Sequence, residues 1–240
     1  MKVLGIDTST PCGSVGLIED ERVLSEVLLH SPVTHSERLI AAIDLVLNES
    51  HLSVHGLDGW SVCLGPGSFT GLRIGVSTVK GLAFATRKPV AGVTSLDALA
   101  SQLSPTPCLI CPVLDARKGE VYTAYYRYDK GNTLRRLSPY RAIRPDDLAR
   151  EIHEQTVFLG DGIMTYGHIL RDSLASLAVF VSPFLSVVRG ATVAHMGLTE
   201  LESGRSLDLS RFTPLYVRPS EAELKWQEKH PSFRADTSKR

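Results

Sequence analysis

The chain has 240 residues, of which 43% are hydrophobic, and it carries 26 Lys and Arg against 26 Asp and Glu. A chain of this size can bury a sizeable core, either as one large domain or as two small lobes. Because the charges balance, no overall field draws it to nucleic acid or to an acidic membrane, so any nucleic-acid role needs a local patch or a partner.

The first hundred residues alternate between strand and helix patterns. An antiparallel meander of three short strands is predicted at 2–8, 13–19 and 22–29. A helix with a wide apolar stripe follows from about Ser36 to Ser50, and then a fully apolar strand. A glycine-rich turn leads into a second helix over 68–86, and after another strand Thr94 caps a third helix. The predicted order βββαβαβα ends near Ser104.

The opening pattern recurs about 108 residues later. Residues 3–20 and 111–129 each contain a strand that ends in an aspartate, a turn and a second strand, and the aspartates are Asp7 and Asp115. This recurrence predicts the duplication of one α/β lobe, with the second copy reduced. The predicted units are an N-terminal lobe at 1–104, a C-terminal lobe at 105–217 and a polar tail at 218–240.

The second lobe continues with further alternating elements. Helices are predicted near Pro145–Glu154, after the turn at 160–162 and from about Leu185 to Glu202, with strands at 157–160 and 178–182.

The stretch "GPGSFTGLRIG", residues 65–75, does not match either common phosphate loop. A dinucleotide-binding motif needs glycine at the sixth position, where Thr70 stands, and no Lys follows at the P-loop spacing. An anion at the helix N-terminus stays open. Gly67, Gly71 and Gly75 recur every four residues, which indicates a closely approaching backbone, either within the chain or from another protein. We interpret the stretch as a tight turn followed by a partner-facing helix.

The "DTST" at residues 7–10 is typical of the hairpin that actin-like and sugar-kinase-like ATPases bring to phosphate and magnesium. Asp7, Thr8, Ser9 and Asp115 are therefore candidate nucleotide-binding residues. The second copy weakens a catalytic interpretation, because "DARKGEVY" places Arg117 and its neighbours where such ATPases have small residues. We expect a vestigial nucleotide cleft.

Other catalytic and targeting signals are weak. His51 and His55 form an HxxxH in a polar linker without a third ligand, and no Ser-His-Asp set can be assembled. Cys108 and Cys111 lack the second pair of ligands that a zinc site requires. No apolar run reaches the roughly 18 residues of a membrane span, so we expect a cytoplasmic protein without a metal or cofactor of its own.

Six segments in order carry a family resemblance. They are "VLGIDTSTPCGSVGL", "HSERLIAAIDLVL", "LGPGSFTGLRIGVSTVKGLAFA", "GVTSLDALA", "DARKGEVY" and "PLYVRPSEAE". Together they resemble the bacterial TsaB proteins of tRNA threonylcarbamoyladenosine biosynthesis, over residues 1 to about 224. The resemblance implies two RNase-H-like lobes of the actin, Hsp70 and sugar-kinase superfamily, in agreement with the duplication.

The resemblance also implies a function and partners. TsaB pairs with its paralogue TsaD, the catalytic subunit, and a small TsaE-like ATPase assists them. The complex makes N6-threonylcarbamoyladenosine in tRNAs that read A-starting codons. This chain would be a structural and activating subunit without catalysis of its own, touching tRNA indirectly, and a homodimer when isolated. ATP and a metal ion belong to the partner subunits.

Metal and partner sites follow from the same resemblance. The two metal-binding histidines of the paralogue fall at about Ser95 and Leu99, which cannot replace imidazoles. The helices at 36–50 and 68–86 are the expected pairing elements. The predicted partner-binding residues are Ser36, Leu39, Ile43, Gly67, Gly71, Leu72, Gly75 and Val76.

Two alternatives stay open. An ATPase or small-molecule kinase of the same fold is suggested by "DTST" and by the duplicated hairpin. A metallohydrolase or glycoprotease has only the paralogue's fold in its favour.

Overall fold

The computed structural model describes residues 1–30 and 34–219, so the predicted tail from residue 220 onward lies outside the described residues. The first lobe consists of β1 (Lys2–Asp7), β2 (Gly13–Glu19), β3 (Arg22–Leu29), α1 (His35–Glu49), β4 (Gly59–Gly65), α2 (Phe69–Thr86), β5 (Val90–Thr94) and α3 (Ser95–Ser101). The predicted order βββαβαβα is confirmed, and the Thr94 hydroxyl accepts the N–H of Asp97 as the predicted cap of α3. The five strands form one sheet in the order β3-β2-β1-β4-β5.

The second lobe repeats the strand–turn–strand opening and adds short strands that the sequence patterns did not predict as separate elements. Its elements are β6 (Leu109–Arg117), β7 (Glu120–Thr123), β8 (Tyr126–Tyr128), β9 (Leu134–Arg136), β10 (Arg141–Ile143), α4 (Pro145–Glu151), β11 (Thr156–Leu159), α5 (Gly162–Leu174), β12 (Ala178–Phe180) and α6 (Gly190–Glu202). The main sheet order is β10-β7-β6-β11-β12, and β8 pairs with β6 and β9. None of the described helices could cross a membrane.

Helix α6 belongs to the first lobe in space, although its sequence lies in the second half. A Cβ atom on Gly5 would lie 2.2 Å from the carbonyl oxygen of Gly190, and one on Gly16 would lie 2.2 Å from the amide nitrogen of Ala191. The missing side chains let α6 pack directly on β1 and β2. The predicted lobe boundary after residue 104 is therefore wrong for α6. The predicted start of this helix near Leu185 is also wrong, because α6 begins at Gly190.

Helices α1 and α2 cover the opposite face of the first sheet, and their apolar stripes face the core. Leu39 and Ile43 of α1 are 4% and 3% exposed, and Leu72 and Val76 of α2 are 1% and 5% exposed. These four residues were predicted to bind a partner. That prediction is wrong for their side chains, because they fill the space between the helices and the sheet.

The spaced glycines of α2 and its preceding turn pack against the turn after β1. Added Cβ atoms on Gly67, Gly71 and Gly75 would lie 2.2 Å from the Ser9 carbonyl oxygen, 2.1 Å from the Thr8 carbonyl oxygen and 2.3 Å from the Thr8 hydroxyl oxygen. The close approach that their spacing predicts is real, but it occurs within the chain. The prediction that these three glycines face a partner is wrong.

Two glycines of α2 should respond oppositely to alanine. Gly75→Ala should lower the free energy of unfolding by about 1–3 kcal/mol, because the new methyl group overlaps the buried Thr8 hydroxyl. Gly81→Ala should raise it by about 0.5–1 kcal/mol, because nothing lies within 4 Å of the new atom and alanine favours the helix. Urea unfolding measures both changes, and equal shifts would contradict the packing of Gly75.

Candidate functional site

An open cleft of about 710 Å³ separates the two lobes. One wall is formed by the turn after β1 and by the start of α2, which contribute residues 9–12 and 67–70. The other wall is formed by the end of β6 and the start of α5, which contribute residues 114–117 and 160–165. Corresponding parts of the two lobes thus face each other across the cleft.

Asp7 is fully buried at the end of β1, next to this cleft. Its Oδ1 accepts the N–H of Ser9 at 3.1 Å, whereas its Oδ2 and the Ser9 hydroxyl have no hydrogen-bond partner among the described residues. Burial raises the pKa of Asp7 to about 6, against the opposing effect of the hydrogen bond from the Ser9 N–H. Asp7 is therefore a carboxyl group that takes up a proton in the mildly acidic range.

Asp115 is the matching residue of the second lobe, and it contacts Arg117 of the same hairpin. Its Oδ1 accepts the N–H of Arg117 at 2.7 Å, and the guanidinium of Arg117 lies 3.5 Å from its Oδ2. The N–H of Asp115 donates to Oδ1 of Asp161 at 3.1 Å, and burial raises the pKa of Asp161. Asp115 therefore lines the cleft beside an exposed arginine of its own hairpin.

The structure brings together only part of the predicted nucleotide set. Ser9 and Asp115 line the cleft, whereas Asp7 and Thr8 are buried beside it. The hydroxyl of Thr8 donates to the Gly71 carbonyl at 2.8 Å and is occupied by the packing of α2.

The hairpin turn of the second lobe has a backbone that is unusual for its residues. Arg117 and Lys118 have φ of +63° and +55°, and Gly119 follows with +77°. Two charged residues thus occupy left-handed positions that glycine fills most easily. The side chain of Arg117 is 74% exposed and lies at the cleft.

The described residues offer no group of three or more His, Cys, Asp or Glu side chains arranged for a metal ion. Ser95 and Leu99, where the resemblance places the paralogue's histidines, are both fully buried. The hydroxyl of Ser95 donates to the carbonyl oxygen of Pro66 at 2.5 Å. His51 and His55 are exposed in the connection between α1 and β4 and share no helix.

One contact at the cleft has no signal in the sequence. Arg218 donates to Glu120 at 2.6 Å and to the carbonyl of Ala116 at 3.0 Å, so residues near the end of the described chain lie along the cleft. About a hundred residues separate these partners, and no local spacing indicates their meeting.

Two lobes that each open with a strand, an aspartate and a hairpin, and that enclose a cleft, define a class of protein. They are the RNase-H-like lobes of the actin, Hsp70 and sugar-kinase superfamily, built on an α/β fold. At the level of fold alone, the chain is similar to the activator of the 2-hydroxyisocaproyl-CoA dehydratase from Clostridium difficile. The TM-score is 0.52 at 8% identity, over 85% of this chain and 97% of that one.

Sequence comparisons give the family. The model of the family "TsaD: tRNA N6-adenosine threonylcarbamoyltransferase" matches residues 30–226. The tRNA threonylcarbamoyladenosine biosynthesis protein TsaB of Bacillus subtilis is 31% identical over 95% of this chain and 99% of its own length. The solved structure of YeaZ from Pseudomonas aeruginosa matches with a TM-score of 0.74 and 25% identity, over 90% of this chain and 99% of that one. The chain belongs to the TsaB family and has a role in the biosynthesis of threonylcarbamoyladenosine in tRNA.

The raised pKa of Asp7 predicts a pH-dependent loss of stability. The unfolded chain releases this proton near pH 3.8, whereas the folded chain holds it to about pH 6. The free energy of unfolding should therefore fall by up to about 3 kcal/mol as the pH rises through that window. Asp7→Asn should remove this loss, which urea unfolding at a series of pH values measures.

The matched control is Asp44→Asn, at an exposed position of α1. Its stability curve should run parallel to that of the wild type across the same pH range. If the free energy of unfolding depended on pH in the same way in the wild type and in Asp7→Asn, the raised pKa of Asp7 would be contradicted.

Proposed function

We propose that the chain is a non-catalytic subunit that pairs with a TsaD-like catalytic paralogue to make N6-threonylcarbamoyladenosine in tRNAs reading A-starting codons. The observation that supports the proposal most directly is the burial and chemistry of Ser95 and Leu99. A buried hydroxyl bound to the Pro66 carbonyl and a buried aliphatic side chain stand where the paralogue has its metal-binding histidines. Neither side chain is a ligand for a transition metal.

The chemistry of the cleft supports the same proposal. Phosphoryl transfer relies on metal ions and charged side chains that are placed against the phosphates. In this cleft Asp115 is paired with Arg117, and Asp7 is enclosed beside the cleft wall. The chain thus keeps the two-lobed shape of its superfamily while its acidic groups are either neutralised or enclosed.

The outward side of α1 is the surface that we propose for pairing. Ile40 and Leu45 are 56% and 48% exposed, which is unusual for large apolar side chains within one helix. Ser36, the one predicted partner-binding residue that is exposed, lies one turn before Ile40 on the same face. Helix α1 packs beside α2, whose Gly81 has open space above it. An apolar surface of this kind is typical of a protein interface.

The remaining partners follow from the family. A TsaE-like ATPase assists the pair, and ATP and the metal ion bind to the partner subunits. Two copies of this chain use the same face of α1 when the paralogue is absent. The complex works in the cytoplasm.

A charge placed on the pairing face should break the complex. Ile40→Glu should reduce copurification with the paralogue at least about tenfold, because a carboxylate would lose its water inside an apolar interface. Leu137→Glu is the matched control, since Leu137 is 55% exposed at a site outside α1 and α2. Size-exclusion chromatography of the mixed proteins measures the complex. Equal loss with both variants, or with neither, would contradict this surface.

The proposal also predicts how activity divides between the subunits. The purified chain alone should transfer no threonylcarbamoyl group to tRNA, and addition of the paralogue should restore transfer. Radiolabelled threonine incorporation into tRNA measures both. Transfer of the threonylcarbamoyl group by this chain alone would contradict the proposal.

The second candidate is an ATPase or small-molecule kinase of the same fold, which the interlobe cleft favours. Titration calorimetry with Mg-ATP separates the two functions. Micromolar binding of Mg-ATP that Asp7→Ala abolishes would support the kinase. No binding of Mg-ATP would support the non-catalytic subunit.

A further inference from the structure

Helix α2 lies in the centre of a stretch with a strong local charge bias. Residues 59–96 contain four Lys and Arg and no Asp or Glu, although the whole chain has 26 of each class. The four cations are Arg73 and Lys80 on α2 and Arg87 and Lys88 directly after it. A balanced protein therefore has a local positive region on one helix.

The cations of α2 alternate with aromatic rings. Arg73 lies over the ring of Phe69 at 5.2 Å and over that of Tyr216 at 5.7 Å, and its Nε donates to the Tyr216 hydroxyl at 2.9 Å. Lys80, seven residues later on the same face, lies 4.5 Å from the centre of the Phe212 ring. These stacked contacts hold the positive groups in place along the side of α2 that meets residues 212–216.

The C-terminal end of this row is open to solvent. Phe84, one turn after Lys80, is 79% exposed. It borders a groove of about 790 Å³ that Arg87, Lys88 and Leu207 also line. Neither Arg87 nor Lys88 forms an ion pair within the described ranges 1–30 and 34–219.

We infer that these residues bind RNA, with phosphates at Arg87 and Lys88 and an unpaired base on the ring of Phe84. We call Arg73, Lys80, Phe84, Arg87, Lys88 and Phe212 the basic strip. Cations such as Arg87 and Lys88 beside an exposed aromatic ring are the combination that recognises single-stranded RNA, because bases stack on the ring while phosphates meet the charges. The inference rests on the family's role in tRNA modification and not on the proposed pairing through α1.

An acidic protein surface is the competing occupant, and the structure favours RNA. The strip is a row of separate charges along a helix, which suits the repeated phosphates of a strand. The nearby carboxylate of Asp208 lies 3.5 Å from Arg211 and close enough to Lys80 for that cation to help lower its pKa, but among the described residues it forms no ion pair with Arg87 or Lys88. An exposed phenylalanine adds stacking energy with a base that a carboxylate-rich surface does not provide.

The experiment measures binding of a fluorescently labelled tRNA transcript to the full chain by anisotropy over a range of salt concentrations. The double variant Arg87→Glu, Lys88→Glu should weaken binding at least about tenfold and reduce the magnitude of the salt slope by about 2. The control is Arg22→Glu, Lys130→Glu, which makes the same change in charge at exposed positions of β3 and the turn before β9. The control should bind tRNA as the wild type does.

Phe84→Ala tests the aromatic part separately. It should weaken binding of a single-stranded oligoribonucleotide about five- to tenfold and leave binding of an RNA duplex unchanged. Circular dichroism confirms that each variant is folded.

Three results would overturn the inference. They are saturable tRNA binding that is equal in the strip and control variants, no saturable binding by the wild type, and equal effects of Phe84→Ala on single strand and duplex. In that case, loss of paralogue or ATPase binding in the strip variant would assign the surface to a protein.

Discussion

The close approach of the α2 backbone to the turn after β1 is the contact on which the cleft and the outer surface both depend. Three glycines remove the side chains that would keep the two segments apart, and the Thr8 hydroxyl then reaches the Gly71 carbonyl at 2.8 Å. Because the turn is held in this way, Ser9 faces the cleft and Thr8 does not. The same contact turns the glycine face of α2 inward and leaves Phe84 exposed to solvent. A motif that resembles a phosphate loop in composition therefore serves to pack two segments of one lobe.

The electrostatics of the cleft differ between its two equivalent aspartates. Asp7 lies where water cannot solvate its charge, and its pKa rises to about 6 for that reason. Asp115 stays at the cleft but has an arginine from its own hairpin as its counter-ion. The two equivalent aspartates thus differ in their surroundings, since one is buried and the other lies beside an arginine.

Most of the first lobe could be predicted from the sequence, because its elements are local and strongly periodic. The meander, both long helices and the Thr94 cap depend on residues that are neighbours in the chain. The faces of α1 and α2 could not be predicted, since apolar stripes at Leu39 and Leu72 look the same whether they meet a sheet or a partner. The position of α6 and the contact of Arg218 with Glu120 join distant parts of the chain, and spacing carries no signal for them. The exposure of Phe84 could not be predicted either, because the sequence does not show which side of α2 faces solvent.

The packing of α6 on the first sheet affects the order in which the protein folds during its synthesis. The sheet face formed by β1 and β2 is bare at Gly5 and Gly16, and the helix that covers it comes from residues 190–202. During synthesis, the N-terminal lobe leaves the ribosome with this face uncovered until nearly the whole chain has been translated. The two lobes are thus successive in the sequence but not independent in folding, and a fragment ending at the apparent boundary near residue 104 would lack one layer of its own core.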